Sequence, residues 1–234
     1  MIKLVDFYKA QMDLNTYTKK DWRETLTIHK FNRYIRQELA ELIDSLNYKH
    51  WNEKKNDFDN VVVEAIDVLH FMLSQLYYIG REERHEIFED YAILKKLNKT
   101  EKLNEEDKVN KIILLSEKIM FNTHLIDNIQ LKRVMHYSNG NILKDSFHLL
   151  FGIFKALEMN IDGVVRAYFT KNLLNRLRQE YGYKEGKYKK QWKYNGNNVE
   201  DNVVVTKLAN EMSADEIKES LYLKIKDYYE KNVK

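Results

Sequence analysis

No proline occurs anywhere in the 234 residues, and glycine occurs only seven times. Proline removes a helical hydrogen bond, and glycine costs about 1 kcal/mol in a helix interior. A chain this poor in both can run long helices with few interruptions. All-β architectures built on many tight turns need more of these residues, so an all-α fold with a helical bundle core is expected. A hydrophobic share of 44% is enough for a substantial core. The absence of cysteine excludes disulfides and thiolate metal sites. The opening MIKLVDFYKAQMDLN is charged every few residues, unlike a signal peptide. No uninterrupted apolar run approaches the ~18 residues of a membrane span. A cytoplasmic chain with no membrane partner is expected. A net charge of +3 is too small to argue for a nucleic-acid partner.

Periodicity divides the chain into segments. Leu4, Val5, Tyr8, Met12 and Asn15 sit at helical spacing within residues 2–18. A long helix is expected over about 28–48, with Phe31, Ile35, Leu39, Leu42 and Leu46 on one face. A second, capped by Asp59 or Asn60, runs to about Tyr78 and ends at Gly80. Residues 81–137 are dense in alternating charge, the texture of a solvated surface or a mobile insert, with one helix over about 105–119. SNGN at 138–141 is a break, followed by an amphipathic helix and then another over about 163–181, closed by Gly182. A Gly- and Lys-rich loop, YGYKEGKYKKQWKYNGNN, precedes a C-terminal helix that opens at Ser213 with Glu216 completing a capping box.

The segment VVVEAIDVLHFML, residues 61–73, is apolar almost all the way round yet carries Glu64, Asp67 and His70. At 100° per residue, Glu64, Asp67, His70, Ser74 and Asn60 fall within one arc of about 120°. The remaining circumference is Val, Ala, Ile, Leu and Met, so the helix is buried and its polar arc faces something other than bulk water. Burying ionised carboxylates costs several kcal/mol each unless a cation compensates. Pairing with Lys or Arg of a neighbouring helix would suffice for one such pair. A second pair, Glu38 and Glu41 in QELAELIDSL, lies on the flank of the preceding helix, and a short link favours antiparallel packing of the two. Four carboxylates in one cleft need divalent cations, and oxygen-only ligation points to Mg²⁺ or Mn²⁺ rather than zinc. A di-iron site wants two Glu-x-x-His pairs; of these two helices only the second has a His after a carboxylate at that spacing, His70, and the partner helix has none.

Magnesium held by carboxylates commonly also binds substrate phosphates. In YFTKNLLNRLRQEYG, Lys171, Asn175 and Arg178 share one helical face opposite Leu173, Leu174 and Leu177. A plain wet face would look the same. Lys184, Lys187, Lys189 and Lys190 follow, in a loop able to close over polyphosphate or simply to form surface.

With these stretches assembled, the sequence resembles the dimeric, all-α dUTPases of the MazG-related nucleotide hydrolase superfamily. QELAELIDSLNYKHW followed by VEAIDVLHF resembles the family's Glu-x-x-Glu and Glu-x-x-Asp magnesium motif. KNLLNRLRQEYGYKEGKYKKQW with EDN at 200–202 resembles its C-terminal phosphate motif, and QMDLN is similar to its nucleobase motif. The resemblance implies that Glu38, Glu41, Glu64 and Asp67 bind two or more Mg²⁺ ions, with Mn²⁺ a possible substitute, on two metal-binding helices. Glu41 would orient or deprotonate the attacking water. Lys171, Asn175, Arg178, Lys190 and Asn202 would hold the phosphates. Gln11 and Asn15 would read the uracil edge, His70 and Phe71 would pack the deoxyribose, and Tyr183 would close on the nucleotide. Trp22 and Trp51 fit either pocket walls or core and hinge positions. Residues 1–80 and 136–234 would form one catalytic helical core, and 81–135 a variable, mobile helical insert.

The activity implied is hydrolysis of dUTP to dUMP and pyrophosphate, with dUDP as a further substrate, by a homodimer that limits uracil in DNA. The competing readings are a broader pyrophosphatase acting on dCTP or several nucleotides, and a non-catalytic helical interaction module whose carboxylates pair with lysines. No stable nucleic-acid partner is expected.

Overall fold

The computed structural model describes residues 2–51, 54–99, 101–130 and 138–233. Its helices are α1 (Leu4–Thr18), α2 (Trp22–Thr25), α3 (Ile28–Asp44), α4 (Phe58–Gln75), α5 (Arg81–Phe88) and α6 (Tyr91–Lys95). They continue with α7 (Glu105–Gln130), α8 (Asn139–Ala156), α9 (Ile161–Glu180), α10 (Asp201–Asn210), α11 (Ala214–Glu216) and α12 (Tyr222–Asn232). An antiparallel hairpin, β1 (Gln191–Tyr194) and β2 (Asn197–Glu200), joins α9 to α10. The fold is all-α, as the missing helix breakers led us to expect. The chain divides into two compact units, Met1–Gln11 with Asp21–Ile161 and Met12–Lys20 with Asp162–Lys234.

In the first unit α3 packs on α4 and α7, and α8 packs on the same two helices, which closes a ring of four. The α3 stripe Phe31, Ile35, Leu39 and Leu42 is buried inside it. Helix α3 stops earlier than its apolar spacing predicts, because Ser45 is drawn into other bonds. Its hydroxyl donates to the Glu41 carbonyl and accepts from Asn60 Nδ2, and its carbonyl accepts from the Asp57 amide. Asp57, rather than Asp59 or Asn60, caps α4, its Oδ1 accepting from the Asn60 amide at 3.0 Å. These bonds tie the end of α3 to the start of α4. At the opposite ends Gln75 Nε2 donates to Asn32 Oδ1. The two helices are therefore antiparallel, in a register that brings Glu38 and Glu41 level with Glu64 and Asp67.

By length and composition Phe58–Tyr78 could cross a membrane, with a mean hydropathy of 1.2 over an 18-residue window, although Glu64 and Asp67 interrupt its apolar run. It is instead the central helix of the bundle, 67% buried within the fold. Trp22 is also core, buried against Tyr77 and Tyr78 at ring separations of 5.0 and 6.3 Å.

Helix α7 extends well past residue 119, because a buried row of Val109, Ile112, Ser116, Ile119, Thr123 and Ile126 continues along it. Near its end Asp127 accepts from His29 Nδ1, Asn32 Nδ2 and Arg36 Nη1 at 2.6, 2.6 and 2.9 Å. Burial works against its charge, yet these donors hold the carboxyl below its ordinary value. Of the expected insert, 81–99 and 101–130 are described, and 131–135 lie outside the described residues. The SNGN break proves to be a helix start: Ser138 caps α8, its Oγ accepting from the Asn141 amide at 3.1 Å. A Cβ on Gly140 would lie 2.6 Å from Glu83 Cβ, and the Glu83 carboxylate accepts from the Gly140 and Gly80 amides. Gly140→Ala should therefore cost about 1–3 kcal/mol of stability, seen as a lower urea midpoint with an unchanged slope.

The second unit has its own core, in which Leu174 and Leu177 of α9 meet Tyr188, Trp192, Val204, Val205, Ile217, Leu221, Ile225 and Tyr229. The expected Gly- and Lys-rich loop contains the hairpin. Trp192, fully buried, stacks on Tyr228, and Asn195 and Gly196 take positive φ of 49° and 82°. An Asn-Gly pair is what a tight two-residue hairpin turn demands, so this element was readable from YNGN. The expected capping box is present, with Ser213 N donating to Glu216 Oε2 at 2.6 Å and Glu216 N to Ser213 Oγ at 3.3 Å.

Candidate active site

The antiparallel register of α3 and α4 gathers the acidic residues. Glu38, Glu41 and Glu64 each offer a carboxylate oxygen within 4.8 Å of the others, as a group that could hold a metal ion. Glu64 is buried, 9% exposed, whereas Glu41 is exposed. Asp67, one turn beyond Glu64, acts on the same group. Burial first, then the charge of Asp67, a hydrogen bond and charge from Glu64, and the charge of Glu41 push Glu38 up to about 8. The other three carboxylates named from the sequence thus all act on Glu38.

The raised value has a consequence for the metal-free protein. Between about pH 4.5, the ordinary value, and about 8, folded Glu38 keeps a proton that the unfolded chain has lost. This contribution to stability is present in full below 4.5 and lost as pH rises through the folded value. Melting temperature in chelator should fall over that window, and Glu38→Gln should flatten the dependence. An identical profile in the variant would mean that Glu38 titrates normally.

Beside the carboxylates, His70 Nδ1–H donates to Gln11 Oε1 at 2.5 Å, and both side chains are buried. The sequence placed Gln11 in one motif and His70 in another; the fold joins them. Phe71 packs against Tyr34 and Phe31 at 5.2 and 6.3 Å between ring centroids. Trp51 stands 74% exposed in the α3–α4 link, against the His50 ring.

The remaining candidates belong to the second unit. Asn15 lies one turn after Gln11 along α1. Lys171, Asn175 and Arg178 follow one another along α9, and Arg178 Nη1 donates to Asn175 Oδ1 at 3.3 Å. Tyr183 is flanked by two cations, with Arg178 Cζ 5.9 Å and Lys190 Nζ 5.4 Å from its ring centre. Asn202 stands in the first turn of α10, its Oδ1 accepting from the Val203 amide at 2.8 Å. One residue that sequence reasoning passed over sits among them. Asp201, 1% exposed, pairs with the Arg178 guanidinium through Nε–Oδ2 at 2.9 Å and Nη2–Oδ1 at 2.8 Å. The Tyr188 hydroxyl donates to Asp201 Oδ2 at 2.8 Å. Burial, and then the Asp201 carboxylate, push that phenol far above its ordinary value, so it remains a donor. The only clue to Asp201 was its place in the EDN triplet.

A family model described as dUTPase matches residues 3–183, most of the chain. This chain belongs to the dUTPase family. The enzyme is accordingly a dUTP pyrophosphatase, a hydrolase of nucleotide metabolism with a nucleotide as its substrate. The family generally implies a divalent metal, and the Glu38–Glu41–Glu64 cluster supplies an acidic group of the right chemistry. The matched residues run through all four carboxylates and the basic face of α9, whereas Lys190, Asp201 and Asn202 lie beyond them. Among curated proteins none matches the enzyme.

Proposed function

We propose that this dUTPase hydrolyses dUTP to dUMP and pyrophosphate with Mg²⁺ ions, two or more per site and replaceable by Mn²⁺, held by Glu38, Glu41, Glu64 and Asp67. The observation that carries this reading is the closeness of three carboxylates, with a fourth raising Glu38. Such an oxygen-only, multiply acidic set suits a hard divalent cation. When bound, the cations supply charge neutralisation and Lewis acidity to the phosphate chain.

The protein's own groups do the rest. Glu41, the exposed member, orients the attacking water and takes its proton. Gln37 Nε2 donates to Glu41 Oε1 at 3.1 Å, which helps to hold that carboxylate in one orientation. Lys171, Asn175, Arg178, Lys190 and Asn202 hold phosphate oxygens, and Tyr183 closes on the nucleotide. Gln11 and Asn15 read the base, while His70 and Phe71 pack the deoxyribose. His70 holds the Gln11 carbonyl oxygen, and in this proposal the amide N–H group is what meets the base. Uracil carries a carbonyl acceptor at C4 where cytosine carries an amino donor, so this orientation favours uracil. Thymine is excluded by its methyl group. Further parts of the proposal are turnover of dUDP to dUMP and phosphate, a homodimeric state, a cytoplasmic location, and a role in limiting uracil incorporation into DNA.

Pyrophosphate release from dUTP, dCTP, dTTP and UTP in Mg²⁺, with phosphate release from dUDP alongside, tests the reading. The expected result is release from dUTP alone among the triphosphates. Comparable release from several would keep the metal chemistry and remove Gln11 and Asn15 as readers of the base.

A further inference from the structure

Three of the residues assigned to phosphate bond to Asp201, Arg178 and Asn202 to its buried carboxylate and Lys190 to its backbone amide. The Arg178 guanidinium is forked on Asp201 through two hydrogen bonds. The Lys190 carbonyl accepts from the Asp201 amide at 2.8 Å, which continues the hairpin register past the Gln191–Glu200 pair. The Asn202 amide donates to Asp201 Oδ1, also at 2.8 Å. Tyr188 takes the remaining direction at Oδ2. Five bonds on one residue, from α9, the stretch leading into the hairpin and the first turn of α10, fix these elements relative to one another within the second unit.

We propose that Asp201 is a positioning residue of the dUTPase, which aims Arg178 at the phosphate chain and holds Lys190 and Asn202 in register beside it. The inference rests on the assignment of Arg178 to phosphate. A guanidinium carries five N–H donors in one plane. Here the Nε and one Nη2 hydrogen are spent on Asp201, and Nη1 leans on Asn175 Oδ1. The plane is thereby fixed, and one hydrogen on each Nη remains for a phosphate oxygen. Asp201 also neutralises the Arg178 charge locally. Arg178 then contributes direction, while Lys190 contributes net charge. A lysine at 178 could not satisfy Asp201 and a phosphate in the same geometry.

The test is a double-mutant cycle on the full-length enzyme with Asp201→Asn, Arg178→Gln and the pair. The readouts are KM and kcat for dUTP and the inhibition constant of inorganic pyrophosphate, with melting temperature monitored throughout. Asp201→Asn is expected to raise KM and the pyrophosphate constant about tenfold, with a smaller change in kcat. That rise should disappear when Arg178 is already Gln. An equal rise in both backgrounds would overturn the proposal, because Asp201 would then act on folding or on other groups. No change in Arg178→Gln would instead overturn the assignment of Arg178 to phosphate, and the positioning role with it. Should Asp201→Asn fail to fold, Tyr188→Phe replaces it in the cycle, since it deletes a single bond to the same carboxylate oxygen. Its smaller rise in KM must likewise vanish in the Arg178→Gln background, and a rise that persists there would contradict the proposal.

Discussion

Glu41→Gln should lower kcat for dUTP by about 10²–10⁴-fold while changing the melting temperature little. The carboxamide keeps the shape of the side chain and an oxygen that can still accept from Gln37 Nε2, but it cannot take a proton from water. Glu41 is exposed and lies within α3, with helix on both sides of it. Glu64→Gln is the informative comparison. Glu64 is buried among the other carboxylates, and its loss should raise the Mg²⁺ concentration needed for half-maximal rate. Pyrophosphate release at saturating dUTP and graded Mg²⁺ separates the two effects. A kcat for Glu41→Gln within about threefold of wild type would remove Glu41 from the proton-transfer role, since such a base is worth far more than that.

The second large effect concerns the base. Gln11→Ala should reduce kcat/KM for dUTP by about 10²-fold while changing dCTP turnover far less, because a site built to hydrogen-bond one edge discriminates through those bonds. His70→Ala should move the dUTP/dCTP ratio in the same direction without deleting the amide, since the amide then loses the imidazole donor that fixes its carbonyl. Competition assays with mixed dUTP and dCTP measure the ratio directly. If both variants keep the wild-type ratio, base selection resides elsewhere in the enzyme.

Much of the acidic site was readable in the sequence because its physics is local. Carboxylates at i and i+3 on an otherwise apolar helix announce a buried polar arc, and two such helices joined by a short link have few ways to pack. The family resemblance drawn from those residues agrees with the match over residues 3–183. Features that depend on distant partners were not readable. Asp201 and Arg178 are 23 positions apart, and nothing in either local pattern reveals their pairing. The Gln11–His70 bond spans 59 positions and links two motifs that the sequence treats separately. Helix α7 runs past the expected end near 119, where Thr123 breaks the apolar row; its hydroxyl bonds backward to the Met120 carbonyl and so tolerates burial, as the Ser116 hydroxyl does on the Ile112 carbonyl. The hairpin was overlooked for a different reason. Its turn signal, Asn195–Gly196, is explicit, but the lysines around it drew attention to charge.

The central claim is that the carboxylates of α3 and α4 serve dUTP hydrolysis by holding a divalent cation. Its most direct test is pyrophosphate release from dUTP by chelator-stripped enzyme as Mg²⁺ is titrated back, for wild type and Glu64→Gln. The account predicts no release without metal, full recovery with Mg²⁺ in the wild type, and a recovery curve shifted to higher Mg²⁺ in the variant. Undiminished release in chelator, or superimposable recovery curves, would contradict it.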